Sequence, residues 1–182
     1  MKIALDDIKA TPKTLAYTEE VDELNGRLAR GASDWRVPDG PAVDVEYYRS
    51  GLDVFFRGAV HGRVLGTCAR CLEEYPFALD HRFVFVLTPR AAAVGGARLS
   101  ADDLALSFYE GEEIDLTPLV HEQVILALPT RPLCDEHCRG LCPRCGTNLN
   151  VASCDCPAAM PDARLAALHA LARGNDPARG GG

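Results

Sequence analysis

The stretch LCDEHCRGLCPRCGTNLNVASCDC, residues 133–156, holds six of the chain's eight cysteines, spaced Cys134-x3-Cys138-x3-Cys142-x2-Cys145-x8-Cys154-x-Cys156. The other two, Cys68 and Cys71, form a second Cys-x-x-Cys far upstream. Zinc takes four ligands tetrahedrally, and two cysteines two residues apart can grip one ion from a single tight turn, so each pair reads as half a site. The arithmetic predicts two zinc ions with four cysteines each, drawn from Cys68, Cys71, Cys134, Cys138, Cys142, Cys145, Cys154 and Cys156. Gly146, directly after Cys145, frees the backbone where amides turn toward the thiolates. Four half-sites combine into two sites in three ways. The favoured division closes Cys142 and Cys145 on Cys154 and Cys156 through the Asn148-Leu149-Asn150 turn, leaving Cys134 and Cys138 to meet Cys68 and Cys71 across the fold. A site joining Cys134 and Cys138 to Cys142 and Cys145 stays open, as does His137 in place of a thiolate.

Working outward from the thiols, the chain upstream of Cys68 alternates with period two. Val43, Val45 and Tyr47, then Leu52, Val54, Phe56 and Val60, predict an antiparallel hairpin across Ser50-Gly51, with its second strand continuing through Val64 to Cys68. Phe77 to Leu87 supplies another strand, so the first thiol pair sits at a strand-to-strand bend. Residues 1–9 read as an edge strand and Ser107 to Glu110 as one more strand. Val21, Leu24 and Leu28 share a face of a helix from Glu19 to Arg30. Thr117-Pro118 reads as an N-cap followed by proline at the first helical position, opening a helix with Val120, Val124 and Leu128 in one stripe that Pro129 ends. Residues 89–101, rich in Ala and Gly, read as a surface loop, and Pro161 to Arg173 as a last helix with Leu165, Leu168 and Leu171 on one side.

The chain has 182 residues, about 47% of them hydrophobic, enough for one domain with a small appendage. The opening MKIALDDIKATPK has no apolar run of signal-peptide length, and no later stretch reaches the roughly 20 apolar residues of a membrane span. The expectation is a soluble, cytoplasmic protein without membrane partners, where clustered cysteines persist as metal ligands and not as disulfides. Nineteen basic against 26 acidic residues give a net charge of −7, which counts against a broad nucleic-acid-coating surface. Residues 1–129 hold 13 basic and 21 acidic groups, a net of −8, whereas 130–182 hold 6 and 5. Contact with RNA would have to be local to the cysteine-rich end, through Arg131, Arg139 and Arg144.

Other chemistry finds less support. A catalytic zinc keeps an open position and draws on His or carboxylate, so all-cysteine sites point to a structural role and to no enzyme. Redox use of Cys68-Ala69-Arg70-Cys71 is chemically allowed, because arginine favours a thiolate, but the motif lies between strands and not at a helix N-terminus. His61, His81, His121 and His169 are scattered singly and are assigned no role. Glu73-Glu74 and Glu112-Glu113 read as solvated surface, and Trp35 as a packing anchor before a base-stacking platform. No pattern implies a small-molecule substrate.

Three ordered blocks carry a family resemblance: Cys68-Ala-Arg-Cys71-Leu72-Glu73, the stretch IDLTPLVHEQVILALP from Ile114 to Pro129, and Cys138-Arg-Gly-Leu-Cys142-Pro-Arg-Cys145-Gly-Thr-Asn-Leu-Asn150 followed by Cys154-Asp-Cys156. Together they resemble the YceD family, the large ribosomal RNA subunit accumulation proteins. The resemblance implies a non-enzymatic bacterial or plastid protein supporting synthesis, processing or accumulation of 23S ribosomal RNA, acting on precursor 23S RNA or large-subunit assembly intermediates. It also implies that the ribbon from Cys142 to Cys156 is an accessory, since some members lack it while keeping the first Cys-x-x-Cys and a later His or Cys pair. That pattern supports the cross-fold site.

The expected fold is α+β: a small antiparallel sheet or partly closed barrel packed by helices, with a C-terminal cysteine-rich zinc ribbon. Its expected organisation is a core domain over 1–133, a zinc-binding segment over 134–160, a helix over 161–174 and a disordered tail over 175–182. Two functional expectations compete. One is an assembly factor touching precursor RNA beside its zinc sites; the other is an acidic adaptor docking a ribosomal protein or RNA maturation enzyme. A thiol oxidoreductase, which would need Cys68 or Cys71 free and reactive, is the third class.

Overall fold

The alternating stretch from Val43 to Leu87 becomes the centre of a sheet in the computed structural model, which describes residues 1–90, 106–157 and 163–165. In chain order the elements are β1 (Lys2–Ala4), a 3-10 turn (Leu5–Asp7), β2 (Lys13–Thr18), α1 (Val21–Gly31), β3 (Trp35–Arg36), β4 (Ala42–Ser50), β5 (Asp53–Thr67), β6 (Glu74–Pro89), β7 (Leu106–Tyr109), β8 (Glu113–Asp115) and α2 (Thr117–Ala127). The architecture is α+β and mostly strand. β2-β4-β5-β6-β7 form one mixed sheet with β3 beside β5, and β1 pairs separately with β8. The chain divides into two compact units, Met1–Cys138 and Arg139–Gly182, and the sheet and both helices belong to the first.

Two sheet expectations need correcting. The sheet is not wholly antiparallel, because β6 and β7 run parallel. A two-residue turn forces strands to reverse, but sixteen residues separate β6 from β7, long enough for a crossover connection. Nor is it closed: β2 and β7 stand at the two ends of the strand order, and a barrel requires its end strands to bond to each other. The β4–β5 hairpin forms as read, with Ser50 paired to Asp53 and Gly51 at φ 62 in the two-residue turn.

Alternation places Val43, Val45, Val54, Phe56, Val60, Val64, Phe83, Phe85 and Leu87 inward, all buried. Leu24 and Leu28 of α1 and Val120 and Val124 of α2 join them in one core. Burying each such side chain is worth about 1.5–3 kcal/mol before entropy is counted. Two of the inward positions that carry no side chain face an aromatic ring. Gly58 stands opposite Phe83 and Gly66 opposite Trp35, and a Cβ at either would meet the ring, at 2.9 Å from Phe83 Cζ and 2.8 Å from Trp35 Cε3. An aromatic ring laid across a strand glycine restores the packing that the glycine forgoes. Trp35 is 6% exposed and meets Tyr75 and Phe77 edge-on, so its ring is spent on packing.

Helix α2 starts one residue earlier than the capping pattern implies. Leu116 is the cap residue, Thr117 is already helical, and its hydroxyl accepts a hydrogen bond from the Met1 ammonium, so it does not cap the helix. Asp115 takes the capping task, its Oδ1 accepting the Thr117 N–H at 3.1 Å. The expected helix over 161–174 lies outside the described residues except for a 3-10 turn at Ala163–Leu165. The expectations for residues 91–101 and 175–182 also fall outside them. No described helix is long and apolar enough to cross a membrane.

Candidate metal centres

The turn from β5 to β6 is built around Cys68 and Cys71. Cys68 N–H donates to the Glu73 carbonyl and Leu72 N–H to the Cys68 carbonyl, both at 2.9 Å. This closure puts Leu72 at φ 61, the one non-glycine residue with positive φ among those described. The segment after α2 is tied to this corner by Ala69 N–H to the Pro132 carbonyl at 2.8 Å and by Arg70, whose Nη1 donates to the carbonyls of Glu136 at 3.0 Å and Cys138 at 2.9 Å. Asp135 turns that segment, accepting His137 N–H on its carboxylate at 2.7 Å and Cys138 N–H on its carbonyl at 3.0 Å.

The result brings four thiols together from positions up to 70 residues apart. Cys68 Sγ lies 3.8 Å from Cys138 Sγ and Cys71 Sγ 3.6 Å from Cys134 Sγ, and all four sulfurs fall within 4.8 Å of one another. A tetrahedral ion with metal–sulfur bonds of about 2.3 Å has sulfur–sulfur edges of about 3.8 Å. Disulfide bonds are about 2.05 Å, and all eight cysteines are free. The donor set therefore fits a single tetrahedral cation. Cys68, Cys71 and Cys138 are buried and Cys134 is exposed.

The second unit repeats the turn. Cys142 N–H donates to the Thr147 carbonyl at 2.8 Å, Gly146 N–H to the Cys142 carbonyl at 2.9 Å, and Gly146 has φ 74. An antiparallel bridge joins Leu141 to Asn148, Leu149 N–H reaches the Gly140 carbonyl, and Asn150 Oδ1 accepts Arg139 N–H at 2.7 Å. The chain is thus carried back until Cys154 and Cys156 join Cys142 and Cys145, again with all four sulfurs within 4.8 Å. This cluster is more open: Cys142 is buried, Cys154 and Cys156 are half-buried and Cys145 is exposed. Of the pairings left open by the sequence, the structure adopts the cross-fold one, and His137 joins neither cluster.

Electrostatics show why such clusters call for a cation. Burial pushes the Cys68 thiol up, but main-chain hydrogen bonds from Cys134, Cys71 and Arg70 outweigh it and bring it down to about 6. Burial and the neighbouring sulfurs push Cys134 up to about 12. In the ribbon, hydrogen bonds from Thr147 bring Cys145 down to about 6, while the bond to Cys145 heads the causes that push Cys156 up to about 12. One thiolate forms readily in each cluster and its charge holds others protonated. Four thiolates at this spacing would need positive charge among them, which a metal ion would supply. An ion held by all four thiolates would have no open position for water or substrate.

Of the arginines singled out, Arg131 belongs to the first unit and Arg139 and Arg144 to the second, and all three are exposed. None of their side chains has an ion-pair partner among the described residues. The reading of isolated histidines missed His121. It is 1% exposed, with Nε2 3.2 Å from Glu19 Oε2, and Tyr17 O–H donates to the other carboxylate oxygen at 2.9 Å. The pair ties α2 to the end of β2. No local pattern flags it, because the partners are 102 residues apart. Arg70 and Leu72 were visible as residues, but their tasks, clamping two carbonyls and taking a left-handed turn position, depend on the tertiary closure.

Fold and thiols together define a class: an α+β protein whose sheet corner and C-terminal ribbon each gather four cysteines. A family model described as large ribosomal RNA subunit accumulation protein YceD matches residues 56–172, and the chain belongs to the YceD family. Among relatives, the Bacillus subtilis (strain 168) protein named uncharacterized protein YlbN is 27% identical over 179 residues, covering 97% of this chain and 99% of that one. A chloroplastic large ribosomal RNA subunit accumulation protein YCED homolog 1 of Zea mays is 26% identical over 180 residues, covering 85% of this chain and 60% of the maize protein. A Mycobacterium tuberculosis (strain H37Rv) protein named Rv2926c is 33% identical over 97 residues, 53% of this chain and 45% of that one. No solved structure matches.

Proposed function

We propose that the chain is a non-enzymatic factor of large-ribosomal-subunit biogenesis that binds two zinc ions and contacts precursor 23S RNA through a surface those ions hold in place. The observation that carries this reading is the pair of four-thiol clusters in a chain whose family description, and whose maize relative's name, refer to accumulation of large-subunit RNA. Zinc suits paired cysteines on tight turns, and a four-cysteine shell serves architecture and leaves no site for activated water. That closed shell favours a binding role over an enzymatic one. RNA contact is assigned to Arg131, Arg139 and Arg144, on the part of the chain that escapes the acidity of residues 1–129. The place of action is the compartment where ribosomal RNA is made, the cytoplasm in a bacterium.

The test is binding of precursor large-subunit RNA to the metal-loaded protein at several salt concentrations, for the wild type and for Arg139→Ala/Arg144→Ala with unchanged metal content. Losing two phosphate contacts lowers the slope of log affinity against log salt by about 1.4–1.8. Unchanged binding removes the ribbon from the RNA-facing surface. A second reading rests on the net charge of −7: an acidic adaptor that docks a basic ribosomal protein or an RNA maturation enzyme. A protein partner that survives ribonuclease treatment, with no RNA bound, favours that reading.

A further inference from the structure

The sheet face turned away from α1 and α2 carries a charge pattern that complements itself. In one row across it, Asp44 on β4, Ala59 on β5 and Arg82 on β6 stand side by side. Ala59 holds the two charges two strand spacings apart, about 10 Å. Both charged residues are exposed, and neither has an ion-pair partner among the described residues. One row along, Arg57 is already neutralised by Glu46 at 2.8 Å, and Val84 beside it is 75% exposed. In the next row Tyr48 and Phe55 stack with centroids 5.1 Å apart and planes at 7°, next to Val86. A shallow groove of about 760 Å³ runs over Ala16, Asp44, Ala59 and Arg82. Among the described residues no helix covers this face.

We propose that this face is the interface of a homodimer, in which a second copy of the chain lies face to face across a two-fold axis parallel to β5. Such an axis carries β4 of one copy onto β6 of the other. Asp44 then meets the second copy's Arg82 and Arg82 meets its Asp44, giving two equivalent ion pairs. Tyr48 faces Val86 twice, Phe55 faces Phe55, and the small Ala59 residues let the sheets approach at the centre. Arg57 falls nearest the axis, where like charges would repel, and its pairing with Glu46 removes that penalty. The roughly 30° between packed sheets displaces residues one strand from the axis by about 2–3 Å, within the reach of an arginine side chain. An axis across the strands through the same row would set Asp44 against Asp44, so charge selects the orientation along β5.

The experiment is sedimentation velocity on the metal-loaded full chain from about 1 to 200 µM, the span that brackets micromolar self-association. The wild type should shift from monomer to dimer across that range. Asp44→Arg alone and Arg82→Asp alone each create two like-charge contacts and should weaken self-association about tenfold or more. An equimolar mixture of the two variants restores opposite charges at both contacts and should dimerise where neither variant does. Both positions are exposed, so circular dichroism and metal content should match the wild type. A wild type that stays monomeric overturns the proposal, as does a dimer indifferent to both substitutions or a mixture that fails to associate.

Discussion

Leu72 and Gly146 occupy the same place in two copies of one turn: each follows the first cysteine of its pair by four residues, donates its N–H to that cysteine's carbonyl at 2.9 Å, and has positive φ, 61 and 74. Glycine takes that conformation without a Cβ clash, whereas a leucine there costs about 1–2 kcal/mol. Leu72 is 64% exposed, so little burial offsets the cost. The expectation is that Leu72→Gly raises stability by about 1 kcal/mol and Gly146→Leu lowers ribbon stability by about 1–2 kcal/mol. Thermal unfolding of the first variant and competitive metal titration of the second measure the two effects. A Leu72→Gly variant less stable than the wild type would mean that the exposed leucine makes contacts beyond the turn.

Unequal exposure of the two clusters predicts unequal metal release. With an alkylating reagent and a coloured chelator present, two equivalents should leave in two phases, the faster from the ribbon, where Cys142 alone is buried against three buried thiols in the first cluster. Cys145→Ser should remove the fast phase and keep the core folded. Cys68→Ser should remove the slow phase and, since structural zinc binding contributes roughly 10–16 kcal/mol in small domains, unfold much of the first unit. One-phase release of both equivalents would contradict this ordering.

The Glu19–His121 contact predicts an acid limb of stability. Burial raises the Glu19 carboxyl, but hydrogen bonds with His121 and Tyr17 outweigh it and hold the group below its usual value of 4.5. A carboxyl depressed in the folded state contributes stability that is present above the unfolded value and lost as pH falls through the folded one. Glu19→Gln should therefore flatten the fall in stability below pH 4.5 relative to wild type. At neutral pH it should cost about 1–3 kcal/mol, because the buried network loses a charged acceptor. Urea unfolding of both proteins at stepped pH gives the difference, which cancels acid effects shared through the thiol clusters.

Gly66 predicts a coupling between core packing and the first cluster. It lies two residues before Cys68, and any side chain there collides with Trp35. Gly66→Ala should cost about 1–3 kcal/mol through overpacking. The chain's single tryptophan should report the displacement as a fluorescence shift, and metal affinity at the first cluster should fall with it. An unshifted spectrum with unchanged affinity would show that β3 moves aside freely.

Legibility in the sequence followed the range of the interactions. The β4–β5 hairpin was readable because strand alternation and a glycine turn are local, and the halves of both clusters were readable because a two-residue spacing is itself the geometry of a turn. The mixed, open sheet was not, since nothing in residues 106–109 says which strand they will join or in which direction. His121 and Glu19 could not be paired from either neighbourhood. The partition of the thiols lay between these cases: counting limited it to three, and the choice was made by Arg70, Ala69 and Pro132, whose bonds close the corner from a distance.

The separation of Cys68 and Cys71 from Cys134 and Cys138 also sets an order of events during synthesis. The upstream thiols emerge from the ribosome more than 60 residues before their partners, an interval of roughly 3–13 s at 5–20 residues per second. Through that interval the nascent corner carries an incomplete pair, open to oxidation or to a mismatched thiol. The ribbon, by contrast, completes all four of its ligands within fifteen residues of chain. Protection from oxidation is therefore needed first by the cluster that later becomes the more sheltered of the two.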